Sequence, residues 1–191
     1  MGEQAGADFG GRSEKENLKR DFKYHYLQPI TKNLLILYIM SATISTTLTI
    51  KSSAFKNNET IPSKYTCDGK NINPDITIGN IPENTESLAL IVDDPDAPNR
   101  NYTHWVVWNI LPSNTIKENS RPGIEGKNSM NENKYAGPCP SRGTHHYHFK
   151  VFALDVKLNS LPPSTNENEL MNAMKKHIIA SGELIGLYKR L

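Results

Sequence analysis

Cysteine is nearly absent from this chain of 191 residues: Cys67 and Cys139 are the only two. Two cysteines cannot build the disulfide scaffold of a small secreted domain, and neither lies in a C-x-x-C arrangement. The sequence leaves open whether they pair. No H-E-x-x-H motif and no Cys/His spacing points to a metal, so no cofactor is expected. Long hydrophobic runs are missing as well. The strongest, LLILYIM at 34–40, is far shorter than the about 20 residues a membrane-spanning helix requires, so stable insertion is not expected. Clusters of Lys and Arg are also absent. The 22 basic and 20 acidic residues are interspersed and leave a net charge of +2, which excludes the electrostatic footprint of a nucleic-acid binder. No repeat and no low-complexity tract is present. A mean hydropathy of −0.56 reads as a soluble domain.

What is there divides into two unequal parts. Residues 1–47 are polar at first, without apolar periodicity, and read as a disordered N-terminal extension or the product of a start placed too early, with Met40 as the alternative first residue. In the competing reading the apolar stretch at 34–45 is an export signal, with Lys32 before it and Ala42 and Ser45 near a cut. The first reading places the protein in the cytoplasm and the second places it outside. Residues 48–191 form the domain proper.

That domain reads as mainly β. LTIKSSAF alternates, a short strand is expected at Ile76–Ile78, and SLALIVDD contains a run, Leu88–Val92, suited to a strand buried on both faces. DPDAPNRNYT is loop, since Pro95 and Pro98 exclude helix and central strand, and one of the two is a candidate cis proline. HWVVWNIL is the next buried strand, 112–142 is a long irregular excursion, and HHYHFKVFALDV alternates cleanly. One helix closes the chain: Ser164 and Glu167 have capping-box spacing, Leu170, Met174 and Ile178 recur every four residues, and Gly182 is the expected stop. Strands followed by a helix give an α+β, mainly β domain built on antiparallel sheet.

Three of the six histidines crowd into GTHHYHFKVFALD. Alternation puts His145, Tyr147, Phe149, Val151 and Ala153 on the apolar face, and His146, His148 and Lys150 on the wet one. In HWVVWNIL, alternation groups His104 with Val106, Trp108 and Ile110. Asp94 ends one buried strand, while His104 and His145 begin two others. In antiparallel sheet an end adjoins a neighbour's start, so a carboxylate, two imidazoles and a tyrosine can line one pocket. A strand-end histidine without context is most often a satisfied structural residue, and His146 and His148 keep that reading. Cys139, six and seven residues before two histidines, shows no activating arrangement for a nucleophile.

IVDDPDAP, THWVVWNI and GPCPSRGTHHYHFKVFALD resemble, in order, the signatures of the phosphatidylethanolamine-binding protein family, most closely its prokaryotic, Raf-kinase-inhibitor-like branch. The resemblance runs from about Leu48 to the C-terminus and includes SKYTCDGKNINPDI and GELIGLYKR. It implies an antiparallel Greek-key β-sandwich with peripheral helices and a small anion-binding cavity. Carried over by motif, that cavity is lined by Asp94, His104, His145 and Tyr147. Gly137 and Pro138 form a wall that offers backbone N–H groups, and Tyr102 takes the place of a common aromatic residue. Asp96 and Pro98 shape the loop. His146 stands where relatives have an arginine, and would pair with the loop carboxylates only when protonated.

The function so implied is non-enzymatic binding of a small phosphorylated or other anionic ligand of the phospholipid-headgroup type, with modulation of a protein partner, kinase signalling being the association in eukaryotic relatives, and a homodimeric state. Imidazole N–H, phenol O–H and backbone N–H are the donors a phosphate needs, and a carboxylate beside an imidazole fixes its tautomer. Two other readings remain: a hydrolase using His104 or His145 with Asp94, metal-assisted or not, and a dimeric interaction protein with a vestigial pocket.

Overall fold

The computed structural model describes residues 46–98 and 101–190; the expectations for 1–45, including the export signal, fall outside them. In chain order the elements are β1 (Thr46–Thr47), β2 (Thr49–Lys51), β3 (Glu59–Thr60), a 3-10 turn (Ser63–Tyr65), β4 (Ile76–Gly79), β5 (Ser87–Asp94), β6 (Tyr102–Ile110), β7 (Thr115–Ile116), β8 (Ile124–Glu125), β9 (His145–Leu154), α1 (Glu167–Met174) and β10 (Ile178–Tyr188). The larger sheet has the order β1-β10-β9-β5-β6-β8, with β3 also on β10, and the smaller one is β2-β4-β7. All pairings are antiparallel except the two short ones of β1 and β3 with β10.

The α+β, mainly β architecture follows from which faces are apolar. Leu88, Leu90 and Val92 of β5 join Tyr147, Phe149 and Val151 of β9 and Ile50, Ile76, Ile78 and Ile116 of the smaller sheet in one core between the sheets. The alternate residues Ala89 and Ile91 meet Val106, Trp108, Leu170 and Met174 beneath α1. β5 is therefore buried along its whole length, as its continuous apolar run requires, and is paired with β6 on one side and β9 on the other.

Alternation fails on β6 because the strand carries two bulges. Val92 pairs with Trp105 while Asp93 pairs with Thr103, and Leu90 pairs with Val107 while Leu88 pairs with Ile110. Each step inserts one extra residue, which resets the facing. Trp105, Val107 and Ile110 thus belong to the inter-sheet core, and His104 turns to the same side, edge-on to Tyr147 at 5.2 Å between ring centroids. The expected grouping of His104 with Val106, Trp108 and Ile110 is corrected accordingly. Asn109, at φ 53°, absorbs the second bulge in the left-handed region that asparagine tolerates. Its Oδ1 accepts the Leu158 N–H at 2.8 Å.

The C-terminal expectation also changes. The capping box is Asn166 with Glu169, not Ser164 with Glu167, and the helix ends at Met174. Ile178 starts β10, and Gly182 lies inside that strand. There a side chain would run into the Leu48 carbonyl, so the glycine permits the close crossing of the first strands and does not stop a helix. No peptide bond among the described residues is cis, which removes the cis proline expected at 95 or 98.

Candidate functional site

β5 ends between the starts of β6 and β9: Asp94 pairs with Tyr102, and Asp93 with His148. That register delivers Asp94, His104, His145 and Tyr147 to the mouth of the sandwich, around a cavity of about 620 Å³ that Tyr102, Pro98 and Gly137 also line. The four residues that the sequence placed together are together.

Asp94 is held at both oxygens. Oδ1 accepts the Asp96 N–H at 2.9 Å, closing the start of the DPDAP loop, and Oδ2 accepts Nδ1–H of His145 at 2.7 Å. Nδ1–H of His104 donates to the Ala136 carbonyl at 2.6 Å, because a carbonyl can only accept. Both imidazoles are thereby fixed in the Nδ1–H tautomer, and each Nε2 is left without a partner among the described residues. Tyr147 is fully buried, and its hydroxyl meets no hydrogen-bond partner at bonding geometry among the described residues.

Burial, partly opposed by the Ala136 hydrogen bond and the Asp94 and Asp93 carboxylates, holds His104 below the usual imidazole range, with the charge of His145 acting in the same direction as burial. These surroundings favour the neutral ring. Burial first, then the neighbouring Asp94 carboxylate, pushes the Tyr147 phenol far up, so it remains an O–H donor. Burial also raises Tyr102, whose ring stands 4.9 Å from that of His104.

The wall departs from expectation. The Gly137 N–H donates to Asn71 Oδ1 at 2.7 Å and is not free for a ligand. Pro138 has no N–H, its carbonyl accepts from Cys67 at 3.1 Å, and it does not line the cavity. His146 is also corrected. It donates both its backbone N–H (2.9 Å) and its Nδ1–H (2.7 Å) to Asp96 Oδ2, contacts a neutral ring can make. These two bonds draw Asp96 below the usual carboxylate range. The loop is braced without an arginine. His148 lies on the outer face and donates to Glu183 at 2.8 Å.

Two contributors escaped sequence reasoning, Asn71 and Ala136, and the disulfide settles a pairing that the sequence left open. Cys67 and Cys139 are joined, with Cα atoms 5.4 Å apart, and both line the cavity. That excludes Cys139 as a free nucleophile. Asn71 had one legible signal, its place in the turn-rich GKNINPD; it sits at φ 54°. Among the described residues no cluster of His, Cys, Asp and Glu could hold a metal, and no helix is long and apolar enough to cross a membrane.

Known proteins resemble this chain in sequence and fold. Residues 51–189 match the model of the family described as phosphatidylethanolamine-binding protein. A UPF0098 protein of Pyrococcus horikoshii is 50% identical over 150 residues, covering 73% of this chain and 75% of that one. A UPF0098 protein of Methanothermobacter thermautotrophicus is 41% identical over 151 residues, covering 75% and 99%. Among solved structures, a homologue of the phosphatidylethanolamine-binding protein from Chlamydia trachomatis superposes with a TM-score of 0.73 at 36% identity, covering 77% of this chain and 100% of that one. E. coli YbcL, described as a member of the mammalian PEBP family, gives 0.70 at 26% identity, covering 75% and 99%. With the fold, the three motifs and these likenesses in agreement, the chain belongs to the phosphatidylethanolamine-binding protein family.

Proposed function

We propose that the protein is a non-enzymatic binding module whose cavity takes a phosphate-like or phosphorylated anion of the phospholipid-headgroup type. The observation that carries this reading is the Tyr147 hydroxyl, buried and unpartnered. A native interior rarely leaves such a donor without an acceptor. Two imidazoles flank it, each with Nδ1 committed and Nε2 spare. An anion accepting from Tyr147 Oη–H would draw protons onto the Nε2 atoms and complete three donors. The cavity far exceeds a lone phosphate, which suits an anion borne on a larger body. Family membership supports modulation of a protein partner and homodimerisation as parts of the same proposal; sedimentation at several concentrations checks the second. The disulfide supports the exported alternative, because such bonds are rare in the cytosol.

Titration with inorganic phosphate, followed by histidine NMR, is expected to shift His104 and His145 and leave His177 unmoved. No shift at millimolar phosphate sinks the reading. Sulfate, which does not titrate near neutrality, isolates the protein's own proton. Because His104 is held below its ordinary 6.5 in the empty site, sulfate binding takes up a proton, and affinity falls by at most about tenfold per unit as pH rises above that range. The empty protein shows the opposite trend. Its share of stability from keeping His104 neutral is present above pH 6.5 and is lost as pH falls through the lower folded value. Affinity independent of pH between 5 and 8, the range in which imidazole titrates, contradicts the proton-uptake argument.

One observation favours a second reading. His145, oriented by Asp94 with Nε2 spare, has the geometry of a general base. A screen with aryl phosphates and esters tests this. Turnover that disappears in His145→Ala makes the protein a hydrolase, and its absence leaves binding as the function.

A further inference from the structure

The 135–140 wall of the cavity has no regular secondary structure. It is fastened on one side to residues 63–71 and on the other to His104. Toward 63–71 run Tyr135 Oη–H to the Tyr65 carbonyl (3.0 Å), Gly137 N–H to Asn71 Oδ1 (2.7 Å) and Cys67 N–H to the Pro138 carbonyl (3.1 Å). Toward His104 run the Ala136 N–H to the His104 carbonyl (3.0 Å) and the His104 Nδ1–H to the Ala136 carbonyl (2.6 Å). The Cys67–Cys139 bond is the covalent link between the two irregular segments, across a sequence separation of 72. Cys139 is exposed, Cys67 is half-buried, and both line the cavity. A disulfide that an external thiol can reach is the kind that exchanges.

We infer that this disulfide is a thiol-addressable latch: a low-molecular-weight thiol carrying a carboxylate attacks Cys139 at the cavity mouth, and opening the bond frees the wall and its clamp on His104. The carboxylate is drawn by the same Tyr147 and histidine donors that serve the anion. The attacking thiolate forms a bond to Cys139 Sγ. The Cys67–Cys139 bond breaks with its electron pair on Cys67 Sγ, which takes a proton from water. A second thiolate then attacks the reagent sulfur of this mixed disulfide, and the bond to Cys139 breaks with its electron pair on Cys139 Sγ, which takes a proton from water. The products are two cysteine thiols and the oxidised disulfide of the reagent, a two-electron exchange. Hydrogen bonds alone then hold the wall, single ones to residues 63–71 and the pair between Ala136 and His104 of β6, and local opening of a segment without regular structure needs little free energy. The clamp that sets the His104 tautomer loosens with it.

The experiment exposes the full chain, without denaturant, to reduced glutathione and separately to dithiothreitol. Mass spectrometry is expected to find a glutathione adduct on Cys139. After full reduction the Ala136 and Gly137 amides exchange with solvent at least about tenfold faster, while those of Val92 and Phe149 keep their rates. Phosphate affinity falls about tenfold, a loss of ~1.4 kcal/mol. The double variant Cys67→Ser with Cys139→Ser reproduces both changes without any reagent. Unchanged exchange at Ala136 after reduction overturns the latch. So does a disulfide that reacts only when Val92 and Phe149 exchange too, since that is unfolding of the domain. The affinity arm rests on the anion reading and the exchange arm does not. If the oxidised protein ignores phosphate, the anion reading falls and the exchange rates still decide the latch.

Discussion

Asp94→Ala is expected to lower folding stability by about 3 kcal/mol, the scale of leaving a buried N–H unsatisfied where its acceptor was a carboxylate. The same change weakens phosphate by about thirtyfold, or ~2 kcal/mol, through loss of the imidazole's orientation. The Asp94 side chain is only 5% exposed and ties two things at once, the DPDAP loop through the Asp96 N–H and the His145 ring through Nδ1–H. Alanine leaves a buried N–H without a partner and the loop without its anchor. A competing effect has the opposite sign. A carboxylate near the ligand repels an anion, so if Asp94 acted mainly as a charge, its removal would tighten binding. Denaturant unfolding and a phosphate titration on the same sample separate the two. Asp94→Asn keeps the volume and one acceptor oxygen. It should recover part of the stability and little of the affinity, because an amide cannot balance a charged imidazole. Tighter phosphate binding in Asp94→Ala would show that the carboxylate does not serve the site as argued.

Tyr147→Phe is expected to move stability and affinity in opposite directions. The hydroxyl is buried without a partner, so phenylalanine relieves the empty protein of an unsatisfied group and stabilises it by about 1 kcal/mol. Removing the same donor from a bound anion costs about tenfold in affinity. A hydroxyl with a purely structural role gives the reverse: Tyr147→Phe would lose stability and bind phosphate unchanged. Thermal unfolding with and without phosphate reads both quantities, and the variant should melt higher when empty yet gain less from the ligand.

How far the sequence leads depends on how regular each strand is. β9 has no bulge against β5, so period two assigned His145 and Tyr147 inward and His146 and His148 outward. β5 was legible for a different reason, a short apolar run ending in charge. The facing of β6 differs from its alternation because period two cannot count an extra residue: the bulge beside Trp105 turns His104 toward the cavity, and its place at the strand start, together with the motif, kept it in the site. β10 was hidden by coincidence. Leu170, Met174 and Ile178 fall four apart, yet the third belongs to the following strand, where Ala180, Leu184 and Tyr188 point inward. Gly182 and Gly186 between them erase the hydrophobic alternation that would have disclosed it. The wall was beyond reach for a topological reason. Gly137 meets Asn71 across 66 residues and Cys67 meets Cys139 across 72, and no local pattern encodes such pairings.

The placement of β10 bears on how the protein is made. β9 lies between β5 and β10, and the short strands β1 and β3, from the front of the domain, find their partners on β10 as well. During synthesis those earlier segments emerge long before the strand that will receive them, and one flank of β9 stays open until residues 178–188 clear the ribosome. Pairings this distant along the chain form slowly, and an uncovered flank is where two nascent copies can stick. The sandwich therefore closes late, and the interval before closure is when a newborn chain most needs protection from its neighbours.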